Sequence, residues 1–411
     1  MTKFFLFPHR SKKALWLVFF GTWILASCEE KQDHSLFKIP ISLEYAKGFQ
    51  LFQGEGFWEI QVSQGYAEAS ETYRYLVLEP GVVMDSSGFD AVVRLPVNRV
   101  ALTSTTQVPH LDLLGHTQSL VGFPNPDLIS SPKTRSWIES GKVVDLGSGP
   151  SANPELVLDL QPDWIMISTM GEDLRYLDLL AQAGIPALIN GEYVEQNPLG
   201  RAEWIKFTGV LLGKYEEAAA QFEQIKNNYL QAEELSHSIS EDQKPLVLSG
   251  VLYQDSWYAP GADSWAAQLV LKAGGRYAFE KEKSVGSLQL NYEVVLDQAM
   301  EADFWIGAAD YTSLGSMVVL DQATEADFWI GAADYTSLGS MGDSEPRYRA
   351  FKAWQQGQVY TYTAKKGATG GLEYFELGYV RPDLILKDLI KILHPHLLPD
   401  YTPYFYQALG K

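Results

Sequence analysis

Hydrophobic positions along this chain change their spacing three times. In "GFQLFQGEGFWEIQV" (residues 48–62) apolar residues alternate on both sides of Gly54-Glu55-Gly56. Alternation about such a tripeptide predicts a β-hairpin. "YRYLVLEPG" (residues 73–81) reads as another strand running into a turn, and Trp58 in the hairpin reads as packing. From "RVALTSTTQVPHLDLLG" (residues 99–115), which changes from strand to helix near Thr105, strands and helices alternate. Trp164–Ser168 predicts a buried strand after Pro162-Asp163, residues 173–183 a helix stopped by Gly184, and Ile185–Ile189 the next strand. Such alternation predicts an α/β lobe with a largely parallel sheet.

The spacing then lengthens. Asn197-Pro198 is a helix cap and first turn, and the stretch "LGRAEWIKFTGVLLGKYEEAAAQFEQIKNNYLQAEEL" follows it. That is roughly nine helical turns, with a bend expected near Gly213. Phe222, Ile225, Tyr229 and Ala232 share one face. After Pro245 the α/β pattern resumes: the strand "PLVLSGVLY", a helix capped by Asp263 and ending at Gly274-Gly275, the strand "GQVYTYT", and the amphipathic helix "RPDLILKDLIKILHP" stopped by Pro395. The predicted fold class is α/β: two α/β lobes, residues 41–196 and 245–411, joined by one long helix over residues 197–238.

The second lobe contains a tandem repeat. "VVLDQAMEADFWIGAADYTSLGSM" (residues 294–317) is followed at once by the same sequence (residues 318–341), with Thr324 in place of Met300. One copy holds a helix end, a strand at residues 303–307 and a loop, which is about one αβ unit. A second strand forced into a parallel sheet would separate partners whose register is already set. Extrusion of the second copy is therefore expected, exposing Phe328 and Trp329. The duplication is expected to have no function of its own.

At 411 residues the chain suits two domains, and 46% hydrophobic with 13% aromatic residues can build a large core. The net charge of −19 excludes nucleic acid as a partner and weakens the case for a small anionic ligand. The single cysteine, Cys28, excludes an internal disulfide. It follows a basic leader (Lys3, Arg10, Lys12, Lys13) and an apolar run over residues 14–26 that is short for a membrane span. Leu25-Ala26-Ser27-Cys28 resembles a bacterial lipobox. That resemblance implies a signal peptide at residues 1–27, a lipid on Cys28, a tether over residues 28–40 and a place in the cell envelope, in the periplasm or at the surface. Glu29 and Glu30 are a weak mark of surface export.

Signatures of catalysis are missing. There is no Gly-x-Ser-x-Gly elbow and no Walker loop. The seven histidines are scattered, with His110 and His116 in one segment and His394 and His396 flanking Pro395, which argues against a metal site. "KKGATGG" (residues 365–371) can bend round an anion. Trp257 and Tyr258, in "SWYAPGADSW" between a strand and a helix, lie where α/β lobes place ligand loops. Rings there suit a large organic or metal-chelate ligand; they suit a core equally well.

"VVDLGSGPSANPELVLDLQPDWIM" (residues 143–166), with its second-lobe counterpart "SLQLNYEVVLDQAMEADFWIG" (residues 287–307), resembles the iron-complex and cobalamin substrate-binding proteins of ABC transporters, the class III periplasmic binding proteins. "NPLGRAEWIKFTGVLLGK" and "YFELGYVRPDLILKDLIKILHP" resemble the branch found in Bacteroidetes-type bacteria. The resemblance covers nearly the whole chain after the leader. It implies a ligand cleft between the lobes, small closing motion because the link is stiff, no catalysis, no cofactor, and a monomer. Its partners would be the ABC permease and ATPase subunits, and its ligand a ferric siderophore, a corrinoid or haem. It implies that Glu155 and Glu293, one on each lobe, dock onto arginines of the transporter; a carboxylate at a helix N-terminus is also favourable in its own right. By position it implies ligand contacts from Ser104, Thr105, Thr106, Met170 and Gly171 in the first lobe and from Trp257 and Tyr258 in the second, with Lys365 and Lys366 weaker candidates. The first repeat copy follows Glu293; the second follows Met317 and has no such residue. The competing readings are an extracytoplasmic lipoprotein enzyme, a surface interaction lipoprotein that does not transport, and a zinc or manganese receptor.

Overall fold

The structure, a computed structural model, describes residues 37–147, 152–169, 171, 174–253, 255–307 and 335–410. The leader with Cys28, Glu29 and Glu30, candidate Met170, and residues 308–334 with Phe328 and Trp329 lie outside the described residues. Residues 38–411 form one compact unit. No helix among the described residues is long and apolar enough to cross a membrane.

Five N-terminal strands, β1 (Lys38–Ile41), β2 (Phe49–Gly54), β3 (Phe57–Val62), β4 (Tyr73–Leu78) and β5 (Ala91–Arg94), form a sheet in chain order. The first four pair antiparallel and β5 joins β4 in parallel. The expected hairpin is β2–β3, and its turn needs Gly56 at φ +75°, a conformation a side chain would resist. Trp58 is buried against Tyr215 at 4.7 Å, as a packing residue.

The first α/β lobe contains β6 (Val100–Leu102), α1 (Val108–Leu113), β7 (Leu120–Phe123), α2 (Pro132–Glu139), β8 (Val144–Asp145), α3 (Pro154–Leu160), β9 (Trp164–Ile167), α4 (Arg175–Gln182) and β10 (Ala187–Ile189). Its sheet is all parallel, in the order β10-β9-β6-β7-β8. The link comprises α5 (Pro198–Glu203), α6 (Ile205–Leu211) and α7 (Tyr215–Ser236). The second lobe contains β11 (Leu246–Ser249), β12 (Val251–Tyr253), β13 (Ser256–Pro260), α8 (Trp265–Lys272), β14 (Arg276–Tyr277), β15 (Ser287–Asn291), α9 (Tyr292–Ala299), β16 (Phe304–Ile306), α10 (Leu338–Ser344), α11 (Lys352–Gln356), β17 (Val359–Thr361), α12 (Glu373–Val380), α13 (Pro382–Leu393) and β18 (Gln407–Ala408). Its main sheet runs β14-β11-β16-β17-β18, parallel except for β18 at the edge. Strands β12, β13 and β15 make a separate antiparallel sheet.

One device builds both lobes. Asp163, just before β9, accepts hydrogen bonds from the Asn98 and Arg99 amides (2.7 and 2.8 Å) at the start of β6. Asp303, just before β16, accepts from the Leu246 amide at the start of β11 (2.9 Å). Each carboxylate satisfies amides that the parallel ladder leaves open and so pins the register of a central strand pair. Trp164 and Trp305 are fully buried in the strands that follow.

The single long helix expected over residues 197–238 is three helices. Gly213 takes φ +66°, and the Lys214 amide reaches back to the Gly209 carbonyl (2.6 Å), which closes α6 as a glycine terminus does. The chain turns so sharply that a Cβ on Gly209 would lie 2.4 Å from Ala218 Cβ, so α6 and α7 cross backbone to backbone. The lobes are bridged by α7. Its buried face carries Phe222 and Ile225 into the core of the first lobe, and Tyr229 and Ala232 into that of the second.

Within the repeat, the first copy supplies α9 and β16, with Val295, Ala299 and Trp305 in the core. The second supplies Tyr335, Leu338 and Met341 to the same core.

Candidate ligand-binding site

The carboxyl ends of β6 and β9 bring most of the first-lobe candidates together. Ser104 caps a 3-10 turn over Thr105–Gln107, and its hydroxyl lies 2.7 Å from that of Thr106. The Thr103 hydroxyl accepts from the Ser168 amide (2.9 Å) and ties this loop to the one after β9. There Gly171 has φ +94°, and the Tyr66 ring fills the space a Cβ would need, 2.7 Å away. Ser104 and Thr105 are half-buried at this rim; Thr106 is buried and faces inward.

Beneath the rim lies a polar group that sequence reading missed. Glu192 is buried, with Thr106 and Asn190 bonded to its carboxylate and the charge of Arg201 nearby. Burial dominates and pushes its carboxyl up to about 7. His110 lies alongside, with Nε2 3.8 Å from Glu192 Oε2 and Nδ1 2.7 Å from Thr208 Oγ1. Complete burial pushes this imidazole down to about 3, so it is neutral. His110 is a satisfied core histidine, and no group of three or more His, Cys, Asp or Glu suited to a metal occurs among the described residues. Nothing in the local pattern around Glu192 marked it.

In the second lobe, one candidate must be corrected. Trp257 is fully buried, packed at 5.2–5.3 Å on Trp305 and Phe351, with its indole N–H on the Ser249 carbonyl (3.0 Å). "SWYAP" is strand β13, whose pleat sends Trp257 and Ala259 into the core. It is not a loop, so Trp257 cannot meet a ligand. Tyr258 points to the opposite face, half-buried, 6.4 Å from the Tyr253 ring.

The aromatic surface lies elsewhere. At the carboxyl ends of β11, β16 and β17, a cavity of about 80 Å³ is bounded by Gly250, Gly307, Trp265, Tyr362, Tyr374, Phe375, Tyr379 and Tyr406. Tyr362 stacks on Tyr374 (4.9 Å, 19°), and Phe375 stands edge-on to both. Burial pushes the Tyr374 phenol up to about 12, so it remains neutral, and it accepts from the Tyr406 hydroxyl (3.2 Å). The Arg201 guanidinium lies 4.9 and 4.8 Å from the Trp265 and Tyr379 rings and donates to the Tyr193 and Glu195 carbonyls (2.6 and 2.7 Å). These rings come from four separate stretches of sequence, so no local motif announced them.

The glycine loop at residues 365–371 packs against the first lobe. Gly371 passes so close to the first lobe that a Cβ would lie 2.2 Å from the Leu128 carbonyl, and the Thr369 hydroxyl donates to the Asp127 carbonyl (2.6 Å). Buried Glu376 accepts from the Ser130 and Ser131 amides (2.7 and 2.9 Å). Loop and helix α12 are thus a contact between lobes. Lys365 is exposed, with its ammonium over the Tyr404 ring, and Lys366 is exposed beside it.

Glu155 and Glu293 are both exposed, each in the first turn of a helix after an asparagine cap position. Asn153 caps α3 through its side chain, accepting from the Glu155 amide (2.9 Å). Beside Glu293 lies an open polar groove of about 510 Å³, bounded by Asp255, Gln289, Asn291, Tyr292 and Arg347.

The description "Periplasmic binding protein" matches residues 100–365, well over half of the chain. The chain belongs to the periplasmic binding protein family. It is a solute-binding protein of the ABC-transporter type, and the N-terminal sheet β1–β5 precedes the matched region. An uncharacterised lipoprotein of Methanocaldococcus jannaschii is 24% identical over 326 residues, 77% of this chain and 69% of that protein. The apo periplasmic heme-binding protein RhuT of Roseiflexus sp. RS-1 superposes with a TM-score of 0.53 at 17% identity, over 73% of this chain and 99% of that one. A periplasmic binding protein of Veillonella parvula gives 0.56 at 12% identity, over 84% and 99%. At these identities the structural likeness speaks for the fold, which is that of the two-lobed family.

Proposed function

We propose that this family member is a lipoprotein, anchored through Cys28, that captures a metal chelate between its lobes and delivers it to an ABC permease. The candidate chelates are a ferric siderophore, a corrinoid or haem. The observation that carries this reading is the pair of exposed carboxylates, Glu155 and Glu293. Each opens a helix that leads into an Asp-capped central strand, one per lobe. Helix stability alone accounts for an acidic first turn. Its recurrence at equivalent, solvent-facing places on both lobes suits a two-subunit permease reading each lobe once. The bridging helix α7, buried in both cores, favours small relative motion, so recognition would depend on surface charge more than on a large closure.

The test is reconstitution of the lipidated chain with its permease and ATPase. Glu155→Lys and Glu293→Lys should each reduce ligand-stimulated ATP hydrolysis, and the pair should abolish it, with ligand affinity unchanged. Full stimulation by the doubly reversed protein would overturn the docking assignment.

A further inference from the structure

The cavity of the second lobe has an unusual charge pattern for a receptor of metal complexes: among the described residues, no side chain lining it is charged. Its walls are rings, aliphatic groups, glycines, and the hydroxyls of serines and tyrosines. Arg201 lies under the Trp265 and Tyr379 rings and donates to main-chain carbonyls, so it is a support for the wall. On the first-lobe rim, the described candidates Ser104, Thr105 and Gly171 carry no charge. Lys365 belongs to the loop that joins the lobes, and its ammonium is over Tyr404. Around all of this the chain carries a net charge of −19.

A buried anion needs a paired cation or several donors aimed at it; without them desolvation costs several kcal/mol per charge. A cavity of this lining supplies dispersion and ring faces, with a few hydroxyls for orientation. Its size, about 80 Å³, is below the roughly 150 Å³ that holds a benzene in a protein core, so it admits methyl groups or the rim of a ring and not a whole chelate.

We propose that this cavity receives an uncharged, apolar or aromatic edge of a charge-neutral chelate, and that the protein rejects polyanionic chelates. This rests on the chelate-binding reading above and sharpens it: a neutral ferric tris-hydroxamate or a corrinoid fits, and a trianionic ferric tris-catecholate does not.

The test is isothermal titration of the full chain in detergent micelles, at physiological salt, with ferrichrome (neutral), cyanocobalamin (neutral) and ferric enterobactin (trianionic). At least one neutral probe should bind at least about 100-fold more tightly than the trianion. Phe375→Ala, which trims a half-buried ring, should weaken that probe by at least about tenfold. Ser287→Lys, which sets a cation at the cavity wall, should narrow the neutral-to-anionic ratio by at least about tenfold. Circular dichroism checks that each variant is folded. Equal or tighter binding of the trianion overturns the charge assignment. A preference for the neutral probe that neither variant alters overturns the assignment to this cavity. If folded wild-type protein binds none of the three, the chelate-binding reading fails, and this inference with it.

Discussion

Excising one copy of the tandem repeat should stabilise the protein. The second-lobe core takes α9 and β16 from the first copy and Tyr335, Leu338 and Met341 from the second, which together make one unit. Between Gly307 and Tyr335 the chain spends 27 residues. Removing residues 318–341 leaves three, and their sequence is the same as residues 332–334 that precede Tyr335 now. Counting chain length alone, shortening the connection from 27 to three lowers the closure cost by about 1.5RT ln 9, roughly 2 kcal/mol. For a unit of this size that is a rise in Tm of about 3 °C. Were Phe328 and Trp329 core residues as well, the excision would instead cost about 3–5 kcal/mol for each. The sign of the change therefore decides. Urea denaturation and scanning calorimetry give it, with chelate affinity measured alongside. A control comes free with the sequence: removing residues 294–317 yields the same protein except for Thr in place of Met300. Met300 is exposed at the end of α9, so the two deletions should agree within about 0.5 kcal/mol. Loss of several kcal/mol, or loss of ligand binding by a folded deletion variant, would refute the view that the second copy is dispensable.

Three further outcomes are expected. Glu203→Ala strands the amides of Glu44, Tyr45 and Ala46 and the Lys206 ammonium, all of which its buried carboxylate serves, and should cost about 3–5 kcal/mol in urea denaturation. Trp257→Ala should cost about 3–5 kcal/mol as a core cavity while leaving the ligand affinity of the folded fraction unchanged. Glu376 is pushed up to about 7, chiefly by burial, whereas its unfolded value is near 4.5. Between those values the folded protein holds a proton that the unfolded chain has released, so its contribution to stability is lost as pH rises from 4.5 to 7. Glu376→Gln lacks that loss, so its Tm relative to wild type should climb between pH 5 and pH 7.5; a flat difference would show that Glu376 titrates normally.

Much of the architecture was legible because it depends on local patterns. Alternation about Gly54-Glu55-Gly56 gave the hairpin, and the Asp-aromatic pairs at Asp163 and Asp303 marked strand starts whose partner amides those carboxylates hold. The apolar stripe Phe222–Ile225–Tyr229–Ala232 is the buried face of α7. At Gly213 a bend was legible but a full break was not, because apolar residues on α6 keep a helical spacing up to a glycine that then turns left-handed. Trp257 misled because a short strand flanked by turn residues reads like a loop. The second-lobe cavity could not be read at all: Trp265, Tyr362, Tyr374 and Tyr406 meet only through the packing of α8, α12 and α13 round the sheet ends.

The acidic balance of the chain also has a structural use that composition conceals. Glu195 takes the amides of Lys47 and Gly48, and Glu203 those of Glu44, Tyr45 and Ala46, which fastens the loop before β2 to the linking segment. Asp388 on α13 gathers the amides of Tyr404, Phe405 and Tyr406 and so holds the C-terminal segment over the lobe. Glu376 does the same for Ser130 and Ser131 across the lobes. A carboxyl group accepts several N–H donors at once, and where it is ionised those bonds are about twice as strong as neutral ones. These carboxylates therefore act as clasps where loops without their own ladder partners meet a lobe. Two of the clasps, at Glu203 and Glu376, bear on the elements that set the spacing of the lobes. Together with α7, which is buried in both cores, they oppose wide opening of the lobes.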